Sequence, residues 1–380
     1  MPINDHAALT NTKLLPQPTK PAIVCAKYKS TPQDFIVNEM LVLDFSNQGE
    51  HLWLLIKKIG LNTTYVANAL AKWAKIPSRD VGYSGLKDRH AVTTQWFSLR
   101  IPKGQLPADP FVINDIEQGE FAEVLQQHWH SKKLNRGSHK FNQFIITLRN
   151  VEGDKAQIEQ ALSTIKKQGV PNYFGEQRFG RYGNNITNVL EWFEQGSIDG
   201  KPIETTVKKG RLSKKEKQAE RKNRELKSIL LSAARSAIFN QILAQRILNE
   251  SWQTGLDGEV FNLSGSGSVF ASMQMDDELH DRVAKQDIHP TGSMWGVSDD
   301  NSAKPTGVAA KLEAEVIANC ATLQKLAQGL ESKELKSARR PLRLLVHNLT
   351  WQWLDDQTLV LDFKLPAGSF ATSVLAGLIQ

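Results

Sequence analysis

The segment Gly85-Leu86-Lys87-Asp88-Arg89-His90 sets a carboxylate, two fixed cations and an imidazole side by side. A carboxylate with cations on both sides stays ionised at neutral pH, and the same cations attract a polyanionic substrate. Taken alone, a Lys-Asp-Arg triplet is more commonly a solvated loop. A metal-dependent nuclease built on Asp88 and His90 would need further acidic ligands, and no acidic cluster accompanies them. His128 and His130 stand two apart without a third ligand, which argues against a metal site there. Ser264-Gly265-Ser266-Gly267-Ser268 is Gly-rich but lacks the Lys-Ser/Thr and the strand–loop–helix frame of a phosphate-binding P-loop.

The elements that must position Asp88 are readable from periodicity. Gly82 and Gly85 mark a loop, and the residues after it alternate. Phe97, Leu99 and Ile101 fall on one side, Trp96, Ser98 and Arg100 on the other, as in a strand. Upstream, His51 to Lys58 reads as a strand. Asn62-Thr63-Thr64 then offers a cap for a helix from Tyr65 to Lys75, with Val66, Leu70 and Trp73 on one buried stripe. Earlier still, Phe35, Val37 and Glu39 share a strand face, so Glu39 is either an edge residue or a site residue. In Phe141 to Arg149, period two puts Asn142, Phe144, Ile146 and Leu148 on one face. Asp154 caps a helix carrying Ile158, Leu162 and Ile165, ending at Gly169. A long helix is expected near Leu226 to Leu248, and Pro290 to Gly296 reads as a turn-rich loop. A helical stretch runs from Leu312 to about Arg340. Leu359, Leu361 and Phe363 alternate in a last strand, followed by a loop containing Phe370 with a helix cap at Ser369.

Several of these stretches share one resemblance. Gly85-Leu-Lys-Asp-Arg-His-Ala-Val-Thr-Thr-Gln95 closely resembles the signature of the TruD family of tRNA pseudouridine synthases. Asp-Phe-x-Val-x-Glu at 34–39, the Lys-Lys-x-x-Arg run at 132–136, Asn-x-Phe at 142–144 and Leu365 to Ser373 are similar to further motifs of that family. Val170 to Arg181, Leu231 to Ser236, Phe239-Asn240-Gln241 and Pro290 to Gly296 resemble its insertion domain, so the likeness covers nearly the whole chain. It implies that Asp88 is the catalytic carboxylate, Asn142 a hydrogen-bonding amide and Phe144 an aromatic platform for the target base. Phe35 and Phe370 would lie at the substrate, with Glu39 and Lys87 as further binding candidates. Phe141 stands where the family commonly has Gly. The resemblance also implies tRNA as substrate, with uridine 13 as target, notably in glutamate tRNA.

The implied fold is α+β: a mixed, largely antiparallel pseudouridine-synthase sheet with flanking helices, interrupted by an inserted α+β domain. The expected division is a catalytic part over 1–167, an insertion over 168–344 and a return to the catalytic part over 345–380. Isomerising uridine requires no cofactor, and no metal is expected. The 380 residues suffice for two domains, and 40% hydrophobic with 23% charged content is ordinary for a globular protein. No apolar run is long enough to span a bilayer, and Met1 to Lys20 lacks the apolar core of a signal peptide. Cys25 and Cys320, far apart, suit a reducing cytoplasm. The net charge is +7, and Lys208 to Lys227 alone holds ten basic and three acidic residues, so the excess is concentrated there. Such a segment is either a solvated surface or a footprint for phosphate backbones; with the resemblance, it favours RNA. A noncatalytic RNA-binding protein is the main alternative, and no obligate protein partner is indicated.

Overall fold

The computed structural model describes residues 9–102, 104–198, 200–203, 213–300 and 302–380. They group into two compact units: Pro21–Gln168 with Leu345–Ala371 and Leu378–Gln380, and Gly169–Leu344 with Thr372–Gly377 and the described residues up to Lys20. The two terminal pieces differ from the sequence-based division, which gave them to the catalytic part. Their contacts explain it: Leu9 is buried beside Phe179, Tyr173 Oη donates to the Pro16 carbonyl at 3.0 Å, and Ser373 Oγ donates to the Tyr173 carbonyl at 3.1 Å.

Up to Gln168 the chain forms β1 (Phe35–Met40), β2 (His51–Ile59), α1 (Thr63–Trp73), β3 (Val92–Arg100), β4 (Glu120–His130), β5 (Phe141–Glu152) and α2 (Lys155–Gln168). The inserted stretch adds α3 (Asn184–Gln195), α4 (Lys214–Leu248), β6 (Val260–Leu263), β7 (Val269–Ala271), α5 (Asp277–Ala284), β8 (Ile288–Met294), α6 (Gly307–Ala318), α7 (Ala321–Ser332) and β9 (Ala338–Pro341). The chain then returns as β10 (His347–Trp353), β11 (Leu359–Pro366) and α8 (Ala371–Ala376). The large sheet runs β10-β11-β5-β1-β3-β2-β4, continued by Val112–Asp115. All of these neighbours are antiparallel except β1 and β3, which run parallel. This is the mixed, largely antiparallel sheet expected.

Alternation decides what each strand face meets. Leu52, Leu54 and Ile56 of β2 and Phe97 and Leu99 of β3 pack with Val66 and Leu70 of α1. Trp53 and Trp96, one position out of phase, form a separate cluster with Leu134 and Phe45. His128 stacks on Phe45 with ring centroids 4.3 Å apart, and His130 lies edge-on to Trp53 at 5.4 Å. The His-x-His pair thus serves aromatic packing. Asn62 occupies the N-cap position of α1 but makes no capping hydrogen bond; Thr63 instead turns its hydroxyl to the Asp88 loop.

The inserted unit carries the antiparallel sheet β7-β6-β8-β9 and a helical core. Leu230, Ala233, Ala234, Ala237, Ile238 and Ile242 of α4 are buried against residues of α3 and α7. Three expectations fail here. Pro290 to Gly296 is mostly strand, not loop, and Pro290 sits where β8 passes from pairing with β6 to pairing with β9. A residue with no N–H to donate is tolerated at such a change of partner. The helical stretch after Leu312 is two helices and a strand. Finally, α4 begins at Lys214 rather than near Leu226, because Ser213 and Glu216 form a reciprocal capping box (Ser213 N to Glu216 Oε2 2.8 Å, Glu216 N to Ser213 Oγ 3.2 Å). The second half of the basic segment is therefore helix; residues 208–212 lie outside the described ones.

Candidate active site

Asp88 stands in the loop between the short strand Val81–Tyr83 and β3, and that loop is fastened from several sides. Thr63 Oγ1 accepts from the Lys87 N–H at 2.9 Å and donates to Gln95 Oε1 at 2.8 Å. Gln95 Nε2 in turn donates to the Gly85 carbonyl at 3.1 Å. Lys58, 0% exposed, donates from Nζ to the carbonyls of Asp88 (3.0 Å) and Leu61 (2.8 Å). Burial, the largest influence, lowers its pKa to about 8, with Asp88 pulling the other way. Fixing a loop by buried, satisfied polar groups is how a reactive side chain is held in one geometry before substrate arrives.

The sequence suggested that Lys87 and Arg89 flank the Asp88 carboxylate. They do not. Lys87 Nζ meets Glu39 Oε2 at 2.7 Å, with the two side chains only 5% and 0% exposed. Arg89 turns to the Gly60 carbonyl at 2.6 Å and to Glu120 at 3.2 Å. Adjacent residues in a tight loop point their side chains in different directions, so sequence proximity overstated their coupling to Asp88. The partner is Lys29, whose ammonium donates to Asp88 Oδ2, while Oδ1 accepts the His90 N–H at 3.0 Å. Partial burial acts most strongly on Asp88 and raises its pKa. The Lys29 hydrogen bond and charge, with the His90 N–H, outweigh it and hold the carboxyl below its usual range. Lys29 has φ +61°, a left-handed backbone rare outside glycine.

From Lys29 the contacts lead to the aromatic residues. Its Nζ lies 4.2 Å from the centroid of Phe35. Phe35 packs edge-on to Phe144 at 6.1 Å, and Phe144 stacks on Phe363 at 5.6 Å. Strand register produces this row: Phe144 of β5 is paired with Val37 of β1 on one side and Phe363 of β11 on the other. Asn142 pairs in the same way with Glu39 and Leu365. Asn142 Nδ2 donates to His139 Nε2 at 3.1 Å, which leaves His139 to donate from Nδ1 to Ser84 Oγ. That is a neutral imidazole, in keeping with a pKa lowered by burial first and then by the charge of Lys87. Asn142 Oδ1 is buried and has no hydrogen-bond partner among the described residues. Such an acceptor costs free energy unless a ligand supplies a donor.

Glu39 is neither an edge residue nor open to solvent: besides Lys87 it accepts the Trp96 N–H at 3.2 Å. Phe370 is half-buried in the loop after β11. Sequence reasoning missed Lys29 and Lys58. No spacing rule marks Lys29, and Lys58 looks like the solvated end of a strand. Among the described residues, no group of three or more His, Cys, Asp and Glu is arranged to hold a metal ion, and no described helix is long and apolar enough to cross a membrane.

Comparison with known proteins agrees with this architecture. A family model described as tRNA pseudouridine synthase D (TruD) matches residues 19–200 and 205–378. A Psychrobacter arcticus protein named tRNA pseudouridine synthase D is 50% identical over 402 residues, covering 100% of this chain and 96% of the relative. A Xanthomonas euvesicatoria protein of the same name is 42% identical over 368 residues, 97% of this chain and 95% of that one. A solved Methanosarcina mazei structure described under the same family name aligns with TM-score 0.64 at 19% identity, over 97% of each chain; that likeness speaks for the fold. The protein is accordingly an isomerase of the pseudouridine synthase class. The chain belongs to the TruD family.

Proposed function

We propose that this protein isomerises uridine 13 of tRNA, notably glutamate tRNA, to pseudouridine, with Asp88 as the catalytic carboxylate. One observation carries the reading: the Asp88 carboxylate is kept ionised by Lys29, whose ammonium also lies on Phe35, the ring packed against Phe144. A charged acid and an aromatic row are thereby joined through a single side chain.

The reaction breaks the N1–C1′ bond, turns the base and forms a C5–C1′ bond. The C5 proton leaves and N1 gains one, so nothing is oxidised and no cofactor is needed. The nucleotide must leave its stack to reach a pocket. Asp88 then acts as an anion near the anomeric carbon, as carboxylates do in glycosidic cleavage. Attack at C1′, addition at C6 and removal of the 2′ proton all require the ionised form that Lys29 favours. Phe144 supports the base, Phe35 and Phe370 exclude water, and Asn142 Oδ1 accepts from uracil N3–H while the base is detached. Glu39 and Lys87 serve the substrate indirectly, as the buried pair that ties the Asp88 loop to β1. The compartment is the cytoplasm, where tRNA is matured.

The test is tritium release from tRNA labelled at C5 of uridine. The wild type releases it and leaves pseudouridine at position 13; Asp88→Asn binds tRNA but releases none. Turnover by Asp88→Asn removes Asp88 from the mechanism, and binding without release by the wild type leaves only an RNA-binding protein.

A further inference from the structure

Arginines in the inserted unit are treated in two ways. Arg246 meets Glu259 at 2.7 Å, and Arg339 meets Glu313 at 2.8 Å, with all four side chains buried. The residue after Arg339 behaves otherwise. Arg340 donates from Nη2 to Asn172 Oδ1 at 2.5 Å, and its guanidinium carbon lies 4.1 Å from the centroid of Phe174. No carboxylate among the described residues pairs with it. The same Phe174 ring carries a second guanidinium, that of Arg178, at 5.2 Å; Arg178 Nη1 also donates to Ser232 Oγ at 3.0 Å.

Two like charges over one buried ring disfavour each other. Burial lowers the pKa of Arg340 to about 10, and the next influence on it is the charge of Arg178. Burial lowers that of Arg178 also. Packing against Phe174 would be served as well by an uncharged side chain in place of Arg340, so the charge there answers some other need. Both side chains are half-buried, which leaves them within reach of a ligand. A tetrahedral oxyanion resolves the conflict: each planar fork donates to a different pair of oxygens, the geometry for which arginine is suited to phosphate. Along a polynucleotide, that oxyanion recurs at every residue.

We propose that Arg178 and Arg340, held against Phe174, together bind a backbone phosphodiester of the RNA substrate. The proposal rests on the reading of tRNA as that substrate and adds a contact within the inserted unit. It has a signature that a structural arginine lacks: removing one charge should leave the folded chain as stable or more so, yet weaken RNA binding.

The experiment compares wild type, Arg178→Gln and Arg178→Lys by thermal melting and by tRNA affinity across salt concentrations, with inorganic phosphate as a separate probe. Arg178→Gln is expected to melt at or above the wild-type temperature and to bind tRNA roughly 10-fold more weakly. Its slope of log affinity against log salt should be shallower by about one phosphate contact. Arg178→Lys should keep the slope and lose part of the affinity, since the charge remains without the fork. A Gln variant that melts several degrees lower with affinity and slope unchanged makes Arg178 structural and overturns the proposal. Where the Gln variant is too unstable to read, unchanged tRNA affinity in Arg178→Lys does the same. Phosphate that stabilises wild type but not Arg178→Gln, with the tRNA slope unaltered, marks a free-anion site and also overturns it. Tritium release by the wild-type preparation separates the two readings: release with an unaltered Arg178→Gln slope sinks this proposal alone, whereas no release sinks the proposed activity.

Discussion

Charges are handled in opposite ways at Asp88 and at Phe174. Around the carboxylate they are matched: Asp88 with Lys29, Glu39 with Lys87, Arg89 with Glu120. Around Phe174 two guanidiniums share one ring. Under the roles proposed for them, the difference follows from what each set has to do. A group that acts on a covalent bond needs its orientation before substrate arrives, and paired, buried neighbours provide it. A group that neutralises a polyanion needs only to be more comfortable with the ligand than without it, so residual repulsion in the empty protein is no handicap.

Three substitutions probe the Asp88 side of that contrast. The largest effect is expected from Glu39→Gln, which strands the Lys87 ammonium in a buried position. Losing one partner of such a pair costs about 3–5 kcal/mol, to be read from denaturant unfolding. A loss below 1 kcal/mol would mean that Lys87 finds another partner and that the loop is not anchored through Glu39. Next comes Lys29→Met. With the ammonium gone, burial acts on Asp88 with less opposition, so its pKa rises and the acidic limb of the pH–rate profile moves to higher pH. Turnover should fall by roughly 10²–10³, the scale of losing one well-placed charge-stabilising donor; an unmoved acidic limb would show that Lys29 does not govern the ionisation.

The third effect is read from pH. The Lys58 pKa is lowered on folding to about 8, so between about pH 8 and the usual lysine value near 10.4 the unfolded chain binds more protons than the folded one. Stability then rises with pH across that window. The wild type should gain about 3 kcal/mol on Lys58→Met from pH 8 to 10.5, measured as the difference between two unfolding series; parallel series would mean that the amine is already relaxed at neutral pH.

The elements bearing the site were largely legible in sequence. β1 and β5 announce themselves by strict alternation, and the order strand, helix, charged loop, strand around Asp88 follows from local signals alone. What periodicity cannot reveal is which charge a side chain turns toward. Lys29 lies in an irregular stretch whose left-handed backbone has no glycine to betray it, and Lys87 looked like a neighbour of Asp88 only because it is next in the chain. The start of α4 was missed for a related reason: its first turns are polar on all sides, so only the Ser213–Glu216 box marks them. In β8, Pro290 and Gly292 imitate a loop because the strand changes partners there.

The row Phe35, Phe144 and Phe363 also has a chronology. Phe363 belongs to β11, which borders β5 but leaves the ribosome only after the entire insertion has been made. At roughly 5–20 residues per second, that delay is on the order of ten to forty seconds. Throughout it the edge of β5 waits without its neighbour, and the aromatic row remains unfinished until Phe363 emerges.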